Sequence, residues 1–186
     1  MESRNQTEMK LPKRLNMSKT IQQEIWKELE QEREKTSTNG RFKQLKEQFY
    51  RKTIEEFLSD IRKKATIDII ELPDESIPKN PSQVVIDGIK AKEGSKILEY
   101  IDNSDYVIVL CIEGNLTDSE KLRAVMEKAA CTTNGSIVFV IGGSLGLDEK
   151  VIKRGNYKLS FSRMTFPHQM MRVMLMEQIK NITYGK

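Results

Sequence analysis

Apolar residues along this chain of 186 residues follow two different spacings, and each spacing predicts a type of secondary structure. Between residues 42 and 61 they recur with the period of an amphipathic helix. Between residues 106 and 112, and again between 136 and 141, they run without interruption, which is typical of buried strands. The apolar face of the first helix is predicted to consist of Phe42, Leu45, Phe49, Ile54, Phe57, Leu58 and Ile61.

Helical and strand-like segments alternate through the remainder of the chain. Their order predicts an α/β fold with a mostly parallel sheet covered by helices on both faces. The further segments are a β-rich stretch at 67–72, helices at 84–101, 119–130 and 167–180, a short helix near 148–154 and a small strand at 158–162.

Residues 1–40 differ from the rest, because they are polar and contain a single candidate helix, "TIQQEIWKELEQEREK", at 20–35. Thr20 and Gln23 form a capping-box pattern at its start, and the following "TSTNG" is predicted to end it. The chain therefore divides into an N-terminal extension with one amphipathic helix, residues 1–40, and a main domain, residues 41–186. The extra helix either packs on the domain or a partner chain as a surface helix, or is a dedicated partner-binding helix.

Composition narrows the class of protein. Lys and Arg number 31 against 27 Asp and Glu, a net charge of +4, which permits a nucleic-acid partner without requiring one. Cys111 and Cys131 lack metal-ligand spacing, so no metal site is predicted and a reducing compartment is indicated. The first residues lack the apolar core of a signal peptide, and no apolar run approaches membrane-spanning length, so we expect a soluble cytoplasmic protein.

Three loops follow predicted strands at the position where open parallel sheets bind ligands, outside the carboxyl ends of the strands. In chain order they read "EGNLTDS", "GGSLG" and "SRMTFPH". Gly114, Gly142 and Gly143 allow the backbone to approach a ligand closely or to take a positive φ angle. The loops therefore indicate either a ligand site or tight strand-to-helix turns that bind nothing.

Several familiar site types are absent from these loops. The lysine of a Walker A loop, the G-x-G-x-x-G dinucleotide fingerprint and the G-x-S-x-G hydrolase elbow are all missing. His168 is the only histidine, which disfavours a multi-histidine metal site and leaves it as either a capping residue or a substrate contact. The methionines at 170, 171, 174 and 176 are typical of helix packing in a core or a dimer seam.

Three segments together carry a resemblance to a known family: "VIVLCIEGN", "SIVFVIGGSLGL" and "KLSFSRMTFPHQMMRVMLMEQI". They resemble the RlmH family of the SPOUT (α/β-knot) superfamily, bacterial methyltransferases that modify the N3 position of a pseudouridine in 23S ribosomal RNA. The similarity extends over about residues 43–179. It implies a C-terminal trefoil knot that binds S-adenosyl-L-methionine, a homodimer with its sites at the subunit interface, and the assembled ribosome as substrate.

The resemblance also assigns roles to individual residues. Arg163 and Arg172 lie close in sequence to the segment implied to bind the cofactor, so we expect them to stabilise a developing anion or hold phosphate, or else to be surface or interface arginines. Together with His168 they are the candidates for the catalytic role, which stays unassigned among the three. The residues implied to bind the cofactor are Leu110, Gly142, Phe161, Ser162, Arg163, Met164, Thr165 and Phe166.

Both ends of the chain depart from the family pattern. Where family members have an apolar first strand before the helix at 43–61, this chain has "EREKTSTNGRFK", so the sheet is expected to lack a strand or to recruit one from elsewhere. "MKL" at 9–11 is only faintly strand-like. The C-terminal "KNITYGK" lacks the family's terminal "YHK" or "YHR", which is used around the substrate nucleotide. The alternative interpretation is therefore a family-derived protein that binds S-adenosylmethionine or RNA but methylates poorly or not at all.

Overall fold

The computed structural model describes residues 15–17, 38–73 and 75–185, with side chains described over 48–73 and 75–185. Strands and helices alternate within these ranges, as the sequence predicts. The elements are β1 (Leu15–Met17), α1 (Thr38–Arg62), β2 (Ile67–Ile69), α2 (Gln83–Leu98), β3 (Tyr106–Leu116), α3 (Ser119–Thr132), β4 (Ile137–Ile141), α4 (Glu149–Arg154), β5 (Tyr157–Ser160) and α5 (His168–Thr183).

The strands form one parallel sheet in the order β2-β1-β4-β3-β5, which confirms the predicted α/β class. Successive side chains of a strand point to opposite faces, so each face has its own core. On one face, Ile108 and Phe139 pack with side chains of α1, α3 and α5. On the other face, Val107 and Val109 pack with side chains of α2 and α4. Each such buried side chain contributes roughly 1.5–3 kcal/mol to folding, so the two cores together hold the sheet between helical layers.

The helices cover both faces of the sheet. Asp118 begins α3 by accepting a hydrogen bond from the Lys121 backbone N–H at 2.8 Å, and Asp148 begins α4 in the same way through Lys150. Among the helices that the structure describes, none is both long enough and apolar enough to cross a membrane.

The sheet recruits its missing first strand from Leu15–Met17, which lies between β2 and β4. Asn16 is opposite Asp68 on one side and opposite Val138 on the other. Of the two outcomes expected from the sequence, a lost strand or a recruited one, recruitment is therefore correct. A three-residue strand has no readable hydrophobic period, and for that reason the sequence does not reveal it.

Two predictions about α1 and its start are wrong. Residues 38–40, predicted to end a preceding helix, form the first turn of α1, since Thr and Asn favour helix beginnings as much as turns. Phe49, predicted on the buried face, is 65% exposed, because within residues 48–62 of α1 the buried side chains begin at Ile54. The helix predicted at 20–35 and the weak strand candidate at 9–11 lie outside the described residues, as does most of the predicted 1–40 extension.

β3 continues beyond the predicted apolar run and ends at Leu116. Its pairing with β5 shifts register between Leu110 and Asn115, so the residues between them bulge out of the regular ladder. Gly114 permits the bulge, because a Cβ at this position would lie 2.8 Å from the carbonyl carbon of Leu159. Any other side chain would push the two strands apart.

The C-terminal segment is fixed against α1. The Tyr184 hydroxyl donates a hydrogen bond to the Asp60 carbonyl at 3.0 Å, and the Lys64 ammonium lies 4.4 Å from the centre of the Tyr184 ring. Lys180 pairs with the Asp60 carboxylate at 2.7 Å. Hydrogen bonds from Lys180 and Lys63 hold the pKa of Asp60 at about 2, below its ordinary value of 3.8. The last residues of α5 and Tyr184 therefore pack on the chain's own first helix.

Replacing Asn16 with proline is expected to destabilise the protein. β1 lies between two strands, and proline removes a backbone N–H that an interior strand donates to a neighbour. The expected loss in the free energy of unfolding is roughly 1–3 kcal/mol, the cost of leaving a buried backbone group without its bond. Urea denaturation measures it, with Asn16→Ala as the matched control because alanine keeps the N–H. Equal transition midpoints for the two variants would contradict the assignment of β1.

Candidate ligand site

A cavity of about 670 Å³ opens at the carboxyl edge of the sheet, where β3, β4 and β5 end. This volume is within the range of pockets that bind small molecules and cofactors. The loops predicted from the sequence to lie at this edge therefore converge on one cavity. Its walls consist of residues 110–113, 141–147, 159–162 and 164–166, together with His168 and Met171, and of Lys90 and Ile152 from α2 and α4.

The loop after β4 folds back on itself as a tight turn. The Gly146 N–H donates to the Gly143 carbonyl at 3.0 Å, and Gly146 has a φ angle of +83°, a conformation that residues with a Cβ rarely adopt. Gly142 is pressed against the buried Leu147, since a Cβ at position 142 would lie 2.8 Å from Leu147 Cγ. The glycines of "GGSLG" therefore shape this wall of the cavity through close packing and one left-handed residue.

The loop after β5 is tied to the end of β3. The Ser160 hydroxyl lies 3.1 Å from the Ile112 carbonyl and 3.0 Å from the Ser162 carbonyl. The Arg163 guanidinium donates a second bond to the same Ile112 carbonyl at 2.5 Å, and the Met164 N–H donates to the Ser162 hydroxyl at 3.0 Å. These bonds hold the segment against the bulged part of β3 and preform the cavity wall.

Most of the residues expected to bind a cofactor meet in this cavity, while Arg163 does not line it. His168, the first residue of α5, is half-buried and lines the cavity as well. Arg163 instead spans from the loop to the backbone of Ile112. The expected cofactor residues found in the lining are Leu110, Gly142, Phe161, Ser162, Met164, Thr165 and Phe166.

Arg172, the remaining catalytic candidate, lies away from the cavity lining. Its guanidinium pairs with the carboxylate of Glu71 at 3.9 Å, and the Arg172 and Glu71 side chains are only 16% and 6% exposed. Glu71 follows β2 in the chain, so the pair connects α5 to the end of β2, the edge strand opposite β5. A buried pair in this position has a structural consequence, because removing one partner would leave the other charge buried.

Sequence reasoning missed several lining residues. Cys111 and Glu113 belong to the bulge of β3, which reads in the sequence as the end of one strand and the start of a loop. Lys90 comes from α2, about fifty residues before the glycine loop in the chain. The signal for Lys90 is Gly94, one helical turn later, which allows α2 to pack closely on the start of α4.

The lining of the cavity is mainly apolar, and few of its side chains are charged. Leu110, Phe161, Phe166 and Met171 supply apolar walls. Burial raises the pKa of the Cys111 thiol and the neighbouring Glu113 carboxylate raises it further, so this thiol stays protonated and acts as lining. Over the part of the chain that the structure describes, no group of three or more His, Cys, Asp or Glu side chains is arranged to hold a metal ion.

Such a cavity, at the carboxyl edge of a parallel sheet and built from glycine-rich and aromatic loops, is typical of a small-molecule or cofactor site. Comparison with known proteins gives its class. Residues 40–181 match a family model described as a predicted SPOUT methyltransferase. The chain therefore belongs to the SPOUT methyltransferase family, and the matched residues include every segment of the cavity wall.

Similar proteins within the family have a more specific name. The chain is 49% identical over 135 residues to the ribosomal RNA large subunit methyltransferase H of Clostridioides difficile (strain 630), an alignment that covers 73% of this chain and 85% of that protein. It is 47% identical, with the same coverage, to the protein of that name from Clostridium botulinum (strain 657 / Type Ba4). The resemblance inferred from the three sequence segments is thereby confirmed.

Replacing Gly142 with alanine is expected to destabilise the β4 loop, because the added Cβ would overlap Leu147 Cγ at 2.8 Å. The expected loss is roughly 1–3 kcal/mol in the free energy of unfolding, as for other overpacked sites. Gly88→Ala in α2 is the matched control, since no atom lies within 4 Å of its added Cβ and alanine favours helix. Chemical denaturation compares the two variants. A Gly142→Ala protein as stable as Gly88→Ala would refute the tight packing of this loop.

Proposed function

We propose that this protein is an S-adenosylmethionine-dependent methyltransferase that modifies the N3 position of a pseudouridine in 23S ribosomal RNA, within the ribosome. Its membership of the SPOUT methyltransferases and its similarity to proteins named ribosomal RNA large subunit methyltransferase H support the proposal. The observation that carries it is the convergence on one cavity of three separate segments that contain the expected cofactor residues: β3 near Leu110, the loop after β4 and the loop after β5. A ribosomal substrate also implies action in the cytoplasm.

The cavity suits S-adenosylmethionine in size and chemistry. The apolar side chains of Leu110, Phe161 and Phe166 match the faces of an adenine ring, and the backbone of the two loops offers N–H and C=O groups to its edge. The cofactor supplies a sulfonium methyl group that is already activated for transfer. What remains for the protein is to hold the acceptor nitrogen in line with that methyl group and to exclude water.

The N3 proton of the acceptor base has to leave as the new N–C bond forms. His168 lines the cavity at the start of α5, so we assign it to contact with the acceptor base, either as a proton acceptor or as a hydrogen-bond partner. Arg163, at the cavity margin, is assigned to charge stabilisation and to holding the loop after β5. Arg172 is assigned a structural role through its pair with Glu71.

The finer architecture is also part of the proposal. β3 precedes β4 and β5 in the chain yet lies between them in the sheet, and α5 packs back on the core beside α1, which supports a C-terminal trefoil knot around the cavity. Ile112 and Met164, in the cavity wall, and Leu116, at the end of β3, are exposed apolar side chains, and Met164 is 68% exposed. Exposed apolar groups beside a site favour a homodimer whose partner completes that site.

Complementation tests the proposed reaction directly. The gene is expressed in a bacterial strain that lacks the corresponding methyltransferase, and mass spectrometry measures the N3-methylpseudouridine content of its 23S ribosomal RNA. We expect the methyl mark to return. If the purified protein binds S-adenosylmethionine in calorimetry but the mark stays absent, the alternative of a cofactor-binding protein that does not methylate replaces the proposal. Absence of both binding and methylation would overturn the cofactor assignment as well.

Replacing Arg163 with alanine is expected to lower methyl transfer more than cofactor binding. Arg163 contacts the β3 backbone at the margin of the cavity and does not line its interior, so its loss displaces the loop and removes a positive charge near the acceptor. A misplacement of this kind costs roughly 10-fold to 100-fold in rate. Radiolabelled methyl transfer to ribosomes from the null strain measures the rate, and calorimetry measures the cofactor Kd. Unchanged turnover on ribosomes would eliminate this role.

A further inference from the structure

Two cavity-lining residues, Lys90 and Glu113, carry a full charge, and they reach the cavity from different elements. Lys90 is on α2 and is half-buried, whereas Glu113 is in the β3 bulge and is exposed. Over residues 48–73 and 75–185, neither the Lys90 ammonium nor the Glu113 carboxylate takes part in a hydrogen bond or an ion pair. By contrast, Lys96 on the same helix pairs with Glu75 at 2.6 Å.

The position of Lys90 is fixed by helix packing. Gly94, one turn later on the same face of α2, lies so close to α4 that an added Cβ would be 2.6 Å from the Cβ of Asp148. This contact directs the Lys90 side of α2 toward the loop between β4 and α4, where the cavity begins. Glu149, the acidic residue beside it, is already engaged by Lys153 at 2.9 Å. The Lys90 ammonium is thus held at the cavity without an ion pair to any described acidic residue of α2 or α4.

The position of Glu113 is fixed by the bulge. Residues between Leu110 and Asn115 have no regular partner in β5, and Gly114 lies directly against the β5 backbone. The Glu113 side chain therefore lies at the cavity margin next to Cys111, whose thiol pKa it raises. One cationic and one anionic group consequently stand on the walls of an otherwise apolar cavity.

We propose that Lys90 binds the carboxylate of the cofactor's methionine arm and that Glu113 binds its ammonium group, an assignment that rests on the proposed use of S-adenosylmethionine. The methionine arm is a zwitterion, so it requires one partner of each sign once its hydration is removed. The adenosine part is largely apolar and takes the apolar walls. Charge-assisted hydrogen bonds of this kind are about twice as strong as neutral ones, so the two residues would select ligands that carry the amino-acid arm.

Three ligands test the assignment; they differ in the methionine arm, and 5′-methylthioadenosine, a thioether, also lacks the sulfonium charge. S-adenosylmethionine has both charged groups, decarboxylated S-adenosylmethionine lacks only the carboxylate, and 5′-methylthioadenosine lacks the whole arm. Calorimetry measures their Kd for wild type, Lys90→Met, Lys90→Arg and Glu113→Gln. Methionine preserves the length of the lysine stem without its charge, and Lys92→Met, at an exposed site on α2 outside the cavity lining, is the matched control. Thermal unfolding of each variant verifies that it is folded.

The expected pattern is specific for each variant. Lys90→Met weakens S-adenosylmethionine binding about tenfold, the equivalent of one charge-assisted bond, and leaves the decarboxylated ligand and methylthioadenosine unchanged. Glu113→Gln weakens both ligands that carry the ammonium group, while Lys90→Arg and Lys92→Met bind like wild type.

Other results separate the assignment of Lys90 from the proposed use of S-adenosylmethionine. If Lys90→Met binds all three ligands as wild type does, the assignment of Lys90 is wrong while the cofactor proposal stands. An equal loss for all three ligands would show that Lys90 shapes the cavity and does not bind the carboxylate. If the wild-type protein binds none of the ligands, the proposed function itself fails.

Discussion

The pairing of β3 with both β4 and β5 is the constraint on which the rest of this structure depends. Val107, Ile108 and Val109 are completely buried, so the backbone groups of this strand have no access to water and must bond to neighbours on both sides. Because all three strands are parallel, the same bonds bring their carboxyl ends to one edge. The bulge of β3 and the loops after β4 and β5, which form most of the cavity wall, meet there as a direct consequence of burying β3.

A local failure of that pairing opens the cavity. Leu159 is opposite Leu110 in the regular part of the ladder and opposite Asn115 beyond it, so the chain between these two positions of β3 leaves the sheet. Cys111, Ile112 and Glu113 line the cavity for this reason. The carbonyl of Ile112, freed from the ladder, accepts from Arg163 and lies within bonding distance of the Ser160 hydroxyl. The bulge therefore provides part of the cavity space, and its Ile112 carbonyl anchors the loop after β5 that forms another wall of the cavity.

The regular part of this fold is predictable from the sequence because uninterrupted apolar runs and helical periods each have one consistent solution. The runs at 106–112 and 136–141 are in strands, and residues that directly follow each run, Glu113 and 142–147, line the cavity. The bulge is not predictable from "EGNL", which has the composition of a turn, since its conformation depends on how close Gly114 comes to another strand. Lys90 is missed for a similar reason, because helix packing at Gly94 places it, and a glycine within a helical pattern does not show which element the helix packs against.

The position of the recruited strand β1 in the sheet separates it from the cavity. β1 pairs with residues 137–139 of β4, whereas the cavity wall begins at Ile141, toward the other end of the same strand. β1 is also not a hydrogen-bonded neighbour of β3 or β5, which carry the bulge and the other cavity loop. A strand at this position supplies backbone partners to β2 and β4 and so contributes to stability. Apart from Lys90 of α2, the cavity is lined by residues that follow the start of β3 in the chain. An unusual first strand is therefore compatible with an intact cavity.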